Sequence, residues 1–538
     1  MRGLEIPLGK RTKKYRFFEI LPGLLSYGMI IALFVISFFS PVLGAVYLLV
    51  LVVTVFVKAV VSAIHTVKGY NTMVRAERVN WAKRLAQLEK PHENYERLVG
   101  RSGSSYGFNE HIDNLRMLSS GEIEYPKPSE VWHLIIMAAY NEGLETLVPS
   151  VEAVRQTHFD NEKIIFTLAY EERGGGEMEK TAKALKAKYE GIFSDFILVK
   201  HPANLRGEIQ GKGPNLTYAG ERMLDYVKKK HIPVENVVVT TLDSDNRMSE
   251  HYLDYVAYEF VVHPNRQHLS YQPISLFTNN IWDASAPMRV IAVSNSFFNV
   301  ISTMRPHLLR NFASHSQPLL ALSEMGFWSK RTIVEDGHQY WRSLFFFDGD
   351  YEVLSIKVPI GQDAVMEETF WKTAKAQFVQ LRRWDYGASD VAYVGVRLFD
   401  KNRKIPFVSL FPKFWRLLDG HVTLAALSPI VAFGGWVPML MNQQPRTVVA
   451  YSLPSTVGLI QTFAMVGLFI TILFSLKMLP PRPEKYKRKR TILMVLQWVL
   501  MPLIAIIYQS AAAFYAQTRL MLGKYMEKFD VTKKVVKK

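Results

Sequence analysis

Val237 to Asp245 reads Val-Val-Val-Thr-Thr-Leu-Asp-Ser-Asp. β-Branched and aliphatic residues in an unbroken run, without polar alternation, are the pattern of a strand buried on both faces, as in a parallel sheet covered by helices. The run then ends in two carboxylates. Side chains of an extended chain alternate sides, so Asp243 and Asp245 point one way and Ser244 another. Ligands of open α/β sheets bind beyond the carboxyl ends of the strands. Two hard oxygen donors there suit Mg²⁺ or Mn²⁺ carrying a diphosphate. The competing reading is that Asp-Ser-Asp only turns the chain and caps a helix beginning near Ser249.

The same grammar extends upstream. Apolar runs at 131–139, 163–169 and 194–199 read as strands, and 142–156, 177–189 and 213–230 read as helices, leading into 237–242. Strands separated by helices of 10 to 15 residues predict a Rossmann-like, doubly wound and mostly parallel sheet over about 129–400.

This α/β region is set between apolar stretches. No charge occurs from Leu21 to Val57, 37 residues, nearly twice the roughly 20 that cross a bilayer as a helix. Ser40-Pro41 is the natural break between two spans, so 1–65 is a basic N-terminus with two membrane helices. Three more uncharged runs, Val422–Pro445, Thr447–Leu476 and Thr491–Thr518, predict about three spans in 422–518. Pro502 is a possible break in the last, which would make it re-entrant. Between these blocks, 66–128 reads as a connector with an amphipathic helix over 72–98. Residues 401–421 read as a segment lying in the headgroup layer, with aromatics beside Lys413 and Arg416.

The net charge of +17 is concentrated beside the apolar runs. Residues 1–16 hold six Lys or Arg against one Glu, 477–490 seven against one, and the tail 519–538 seven against two. Basic clusters flanking spans mark the cytoplasmic side and attract anionic membrane lipid, whereas a nucleic-acid protein carries its basic stripe on the folded domain. Nucleic acid is therefore excluded as the partner. The absence of cysteine excludes disulfides, thiolate catalysis and cysteine-ligated zinc. The prediction is a multi-pass plasma-membrane protein whose soluble domain faces the cytoplasm. Five spans would leave the basic tail outside, against the charge rule.

Further stretches carry chemistry. Met-Ala-Ala-Tyr-Asn-Glu (137–142) ends the first strand, where a nucleobase could lie against Ala139 and Tyr140. Gly-Lys-Gly-Pro-Asn (211–215) puts Lys212 and flexible backbone ahead of a helix whose free N–H groups favour phosphate. Glu335-Asp336 follows a short apolar run, and a carboxylate there could take a proton from an attacking hydroxyl; a helix N-cap would explain Asp336 equally well. Gln-Leu-Arg-Arg-Trp (380–384) supplies a guanidinium for a diphosphate and an indole face for a sugar ring.

In order and spacing, residues 131–384 resemble the membrane-embedded family 2 glycosyltransferases, which include cellulose, hyaluronan and chitin synthases. The resemblance implies a GT-A fold and a nucleotide-diphospho-sugar donor, UDP-sugar favoured, bound by Ala139, Tyr140, Glu142, Lys212 and Asp243. It implies a metal at Asp243 and Asp245, Asp336 as base with Glu335 beside it, and Gln380, Arg383 and Trp384 at the acceptor and pyrophosphate side. It departs from the family at Ala-Tyr-Glu-Glu-Arg (169–173), where Glu171 or Glu172 stands for the usual aspartate. The acceptor-side signature of cellulose synthase is missing over 312–328, and the tail stretch 529–534 is similar to a Val-Thr-Pro-Lys segment with Lys533 for proline. The implied activity is inverting transfer building a β-linked polysaccharide on a growing glycan and exporting it. Single transfer to a lipid acceptor, or an inactive scaffold or transporter, are the alternatives.

Overall fold

A computed structural model describes residues 3–442 and 448–528. The sheet has eight strands in the order β3-β2-β1-β4-β7-β6-β8-β5. Its first half is β1 (Trp132–Ala139), β2 (Ile164–Glu171), β3 (Asp195–His201) and β4 (Val237–Asp243), all parallel. The connecting helices Leu144–Arg155, Gly175–Tyr189 and Lys212–Lys229 lie within about two residues of the expected ones. Val237 to Leu242 are buried throughout, as an unbroken apolar run between two helix layers requires. The chain reverses strand order beside β1, which opens a crevice at the carboxyl ends of β1 and β4.

The second half is mixed. β5 (Arg247–Met248), β6 (Leu269–Leu276), β7 (Ser316–Pro318) and β8 (Glu352–Gly361) extend the sheet, with β7 antiparallel to β4 and β6 parallel to β8. The β6–β8 register shifts between Gln272 and Ile274. Pro273 there has no N–H for the ladder, so the pairing bulges around it.

The opening apolar stretch forms helices Lys13–Phe39 and Pro41–Glu77. Ser40 is extended between them and its hydroxyl accepts the Leu43 N–H, with Pro41 starting the next helix where a missing N–H costs nothing. The second helix continues through Glu77, so 72–98 is not one connecting helix. Asn80 caps a new helix, Trp81–Gln87, and Pro91 starts another, Pro91–Leu98. Trp81 stacks on Tyr255 at 3.5 Å, which docks the connector on the domain. Residues 407–421 likewise do not lie separately; they open a continuous helix, Phe407–Phe433, with Phe407, Phe411 and Trp415 outward and Leu410, Phe414 and Leu417 buried.

Among the described residues four helical stretches are long and apolar enough to cross a membrane: Lys13–Phe39, Pro41–Glu77, Phe407–Met441 and Arg488–Met521. A further helix is Val448–Lys477. The last stretch is interrupted, with a 3-10 turn at Gln497–Leu500, Pro502, and a π turn at Ala505–Ser510. Both its ends touch the α/β domain. Arg490 donates to the carbonyls of Trp282 and Ala284, and beyond the other end the Met526 N–H donates to Tyr386 while Lys528 pairs with Gln210. Residues 529–538, including the Val-Thr-Lys-Lys stretch, lie outside the described residues.

Candidate active site

The carboxyl ends of β1, β2 and β4, the amino end of the Lys212 helix, residues 333–336 and the end of helix Phe370–Asp385 converge on one cavity of about 170 Å³. Its lining includes Ala139, Tyr140, Glu142, Glu171, Lys212, Asp243, Asp245, Glu335, Asp336, Gln380, Arg383 and Trp384. Of the site residues expected from sequence, Glu172 alone is absent from the lining. Its carboxylate accepts the Ala203 N–H at 2.9 Å, on the far side of the turn after β2.

Lys212 is the centre of charge. Its ammonium lies 2.5 Å from Asp243 and 3.5 Å from Glu335, and it is largely enclosed. Burial works to lower its pKa, but the Asp243, Glu335 and Asp336 carboxylates outweigh that and raise it, so it stays charged. Gly213 lets the helix start this close to the site: a Cβ there would stand 2.3 Å from the Ser329 carbonyl oxygen. Asn215, one turn in, donates to the Ala169 carbonyl at 2.8 Å and ties the helix to β2.

The strand ends at Asp243, and a turn with Asn246 N–H donating to the Asp243 carbonyl follows. It is therefore the turn, rather than the pleat, that brings Asp245 to the cavity beside Asp243. Asp245 is buried, and its Oδ2 accepts the Asp363 N–H at 2.9 Å. The next helix begins at Tyr252 with His251 as cap, so Asp-Ser-Asp does not cap it. Asp336 is not an N-cap either. That position is Val334, and Asp336 sits inside the first turn with Oδ1 accepting the Gly337 N–H. Burial raises the pKa of both Glu335 and Asp336, with Lys212 pulling each back down.

On the opposite wall, Glu142 is engaged in holding the turn after β1, accepting the N–H groups of Tyr140 and Asn141. The Arg173 guanidinium lies 5.0 Å from the Tyr140 ring centre and pairs with Glu171. Burial raises the Glu171 pKa against that cation. Gln380 accepts from Gln377, and Trp384 lies 6.2 Å from Phe277.

Sequence reasoning missed Phe277 and Gln362, which follow β6 and β8 and line the same cavity. The alternation Ile356, Val358, Ile360 was a readable signal for β8; in β6 Gln272-Pro273 interrupts the pattern. His315, inside the unassigned stretch 312–328, is buried behind Asp243, and burial holds its pKa at about 4, so its imidazole is neutral.

Among the described residues no group of three or more His, Asp or Glu is placed to hold a metal. Asp243 and Asp245 nonetheless fit Mg²⁺ or Mn²⁺, which take one or two carboxylates and complete their shell with substrate phosphate and water.

No family model matches the chain, and no curated protein matches it. Among solved structures, the mannosyltransferase PcManGT from Pyrobaculum calidifontis, in complex with GDP-Man and Mn²⁺, is 11% identical; 77% of this chain and 99% of that one are covered, with a TM-score of 0.42. S. aureus TarS 1–349 is similar at 10% identity in complex with UDP (74% and 94% covered, TM-score 0.33). Without the nucleotide, TarS 1–349 is 11% identical (73% and 93% covered, TM-score 0.34). Likeness this loose assigns no chemistry to this chain.

Proposed function

We propose that the protein is an inverting, metal-dependent glycosyltransferase of GT-A type that takes a nucleotide-diphospho-sugar, UDP-sugar favoured, at the cytoplasmic membrane face. The observation that carries this reading is the convergence of five separated motifs on one cavity, with Lys212 bridging the Asp-Ser-Asp and Glu-Asp pairs. A metal at Asp243 and Asp245 would neutralise the charge gathering on the departing diphosphate. Lys212, at a helix amino end, adds a fixed cation for the same oxygens. Tyr140 and Glu171, at the ends of β1 and β2, form the nucleoside side.

Asp336 takes the proton of the acceptor hydroxyl as that oxygen bonds to the sugar carbon and the sugar–phosphate bond breaks, the diphosphate leaving with the electron pair. Its burial suits this role, because a carboxylate raised toward working pH is a stronger base. Gln380, Arg383 and Trp384 hold the acceptor and the pyrophosphate, the indole offering a flat face for a sugar ring. The product of this reading is a β-linked polysaccharide, elongated and passed through the spans. Trp384 packs against the apolar cluster that holds Phe277, Phe297 and Trp498 and that also takes in Phe474 and Ile504 of the apolar helices.

The test is purified protein with a panel of UDP- and GDP-sugars, scoring nucleotide release and product length. Release with long product supports the reading; one sugar on an extractable lipid replaces the polysaccharide by a glycolipid; no release from any donor overturns the assignment.

A further inference from the structure

Away from the cavity, a groove of about 830 Å³ opens between helices Pro41–Glu77, Phe407–Phe433 and Val448–Lys477, the interrupted last stretch, and helix Ala286–Thr303 of the soluble domain. Its walls are mainly aliphatic and aromatic, Val52, Phe56, Phe297, Val431 and Ile506 among them. Such walls cannot satisfy a hydroxyl-rich chain and suit hydrocarbon.

The end of the groove nearest the soluble domain is marked by Thr66 and Ile301. One residue before Thr66, the His65 imidazole meets Arg305 at 3.4 Å, and Arg305 lies four residues beyond Ile301, just past the end of that helix. Burial and the fields of Arg416, Arg305 and Lys413 together depress the His307 pKa, so these groups stand close to one another. Among the described residues no carboxylate ion-pairs with Arg305, Lys413 or Arg416, whereas neighbouring Lys58 has Asp419 at 3.3 Å. Unneutralised cations clustered at the mouth of a hydrocarbon-lined groove are complementary to an anionic amphiphile.

We propose that one phosphate-bearing lipid binds here, its headgroup on the cations Arg305, Lys413 and Arg416, with the His307 imidazole as a hydrogen-bond donor beside them, and a hydrocarbon chain in the groove. The commitment is to a lipid, not to free phosphate: the cations fix the headgroup and the groove fixes the tail.

The full chain, purified in neutral detergent, is loaded with phosphatidic acid or with diacylglycerol of the same chains, and retained lipid is counted by native mass spectrometry. The expected result is one phosphatidic acid per chain, retained at least tenfold over diacylglycerol and not displaced by excess glycerol 3-phosphate. Arg305→Gln with Arg416→Gln should cut retention at least tenfold. Ala59→Trp, which fills the groove, should do the same, with Ala432→Trp on the opposite wall if Ala59→Trp fails to fold. Equal retention of the two lipids, displacement by glycerol 3-phosphate, or unchanged retention in folded variants would overturn the proposal.

Discussion

Lys212 decides the electrostatics of the site, because one ammonium is shared by carboxylates from two distant motifs. Its removal has a signed consequence. Glu335 and Asp336 already sit above the usual carboxylate range through burial, and Lys212 opposes that rise. In Lys212→Met that opposing cation is gone, so both pKa values rise further. If Asp336 is the base proposed above it works ionised, and the acid limb of the kcat/KM profile should move to higher pH; an unmoved limb would separate Lys212 from the base. Asp336→Asn should keep donor affinity and lower turnover by about two to four orders of magnitude, the range for losing a general base, as read by donor binding and nucleotide release side by side. Turnover within about threefold of the parent would reduce Asp336 to a local tie to Gly337. Asp245→Ala should abolish the response to Mg²⁺ or Mn²⁺ in a metal titration after chelation, and full activity in excess chelator would remove the metal from the account.

At the scale of elements, the site depends on how tightly the Lys212 helix docks. Gly213→Ala forces a Cβ against the Ser329 carbonyl, and overpacking of this kind costs about 1–3 kcal/mol. Thermal unfolding should detect that loss, and activity should fall with it because Lys212 shifts; parental stability would mean that residues near Ser329 move freely. The parallel half of the sheet was legible in the sequence because β1, β2 and β4 are buried on both faces and say so in unbroken apolar runs. β6 was not, since Gln272 and Pro273 interrupt it and its bulge is resolved only by pairing with a strand some 80 residues away. The same long-range pairing hides Phe277 and Gln362, whose positions follow from β6 and β8. Glu172 falls outside the cavity lining for a simpler reason. It stands next to Glu171, and a strand end that gives way to a turn sends adjacent carboxylates in different directions.

For the whole molecule, the basic tail conflicts with five full crossings; both ends of the interrupted last stretch contact the α/β domain, the arrangement a re-entrant segment would give. The chain has no cysteine, so single cysteines at Glu484 and Glu527 can be labelled without background; both should react from the same side of the membrane, and reaction from opposite sides would restore the full crossing. The sequence carried Pro502 as the signal, but the contacts of Arg490 and Met526 that anchor each end join residues more than a hundred positions apart and no local pattern announces them. The central claim is that one cytoplasmic cavity transfers sugar and hands its product to the spans. It is tested most directly by reconstitution in sealed vesicles with donor supplied only on the side of the soluble domain. The account predicts donor consumption and long carbohydrate protected inside from an added glycosidase; no donor consumption, or a single sugar on an extractable lipid, would contradict it.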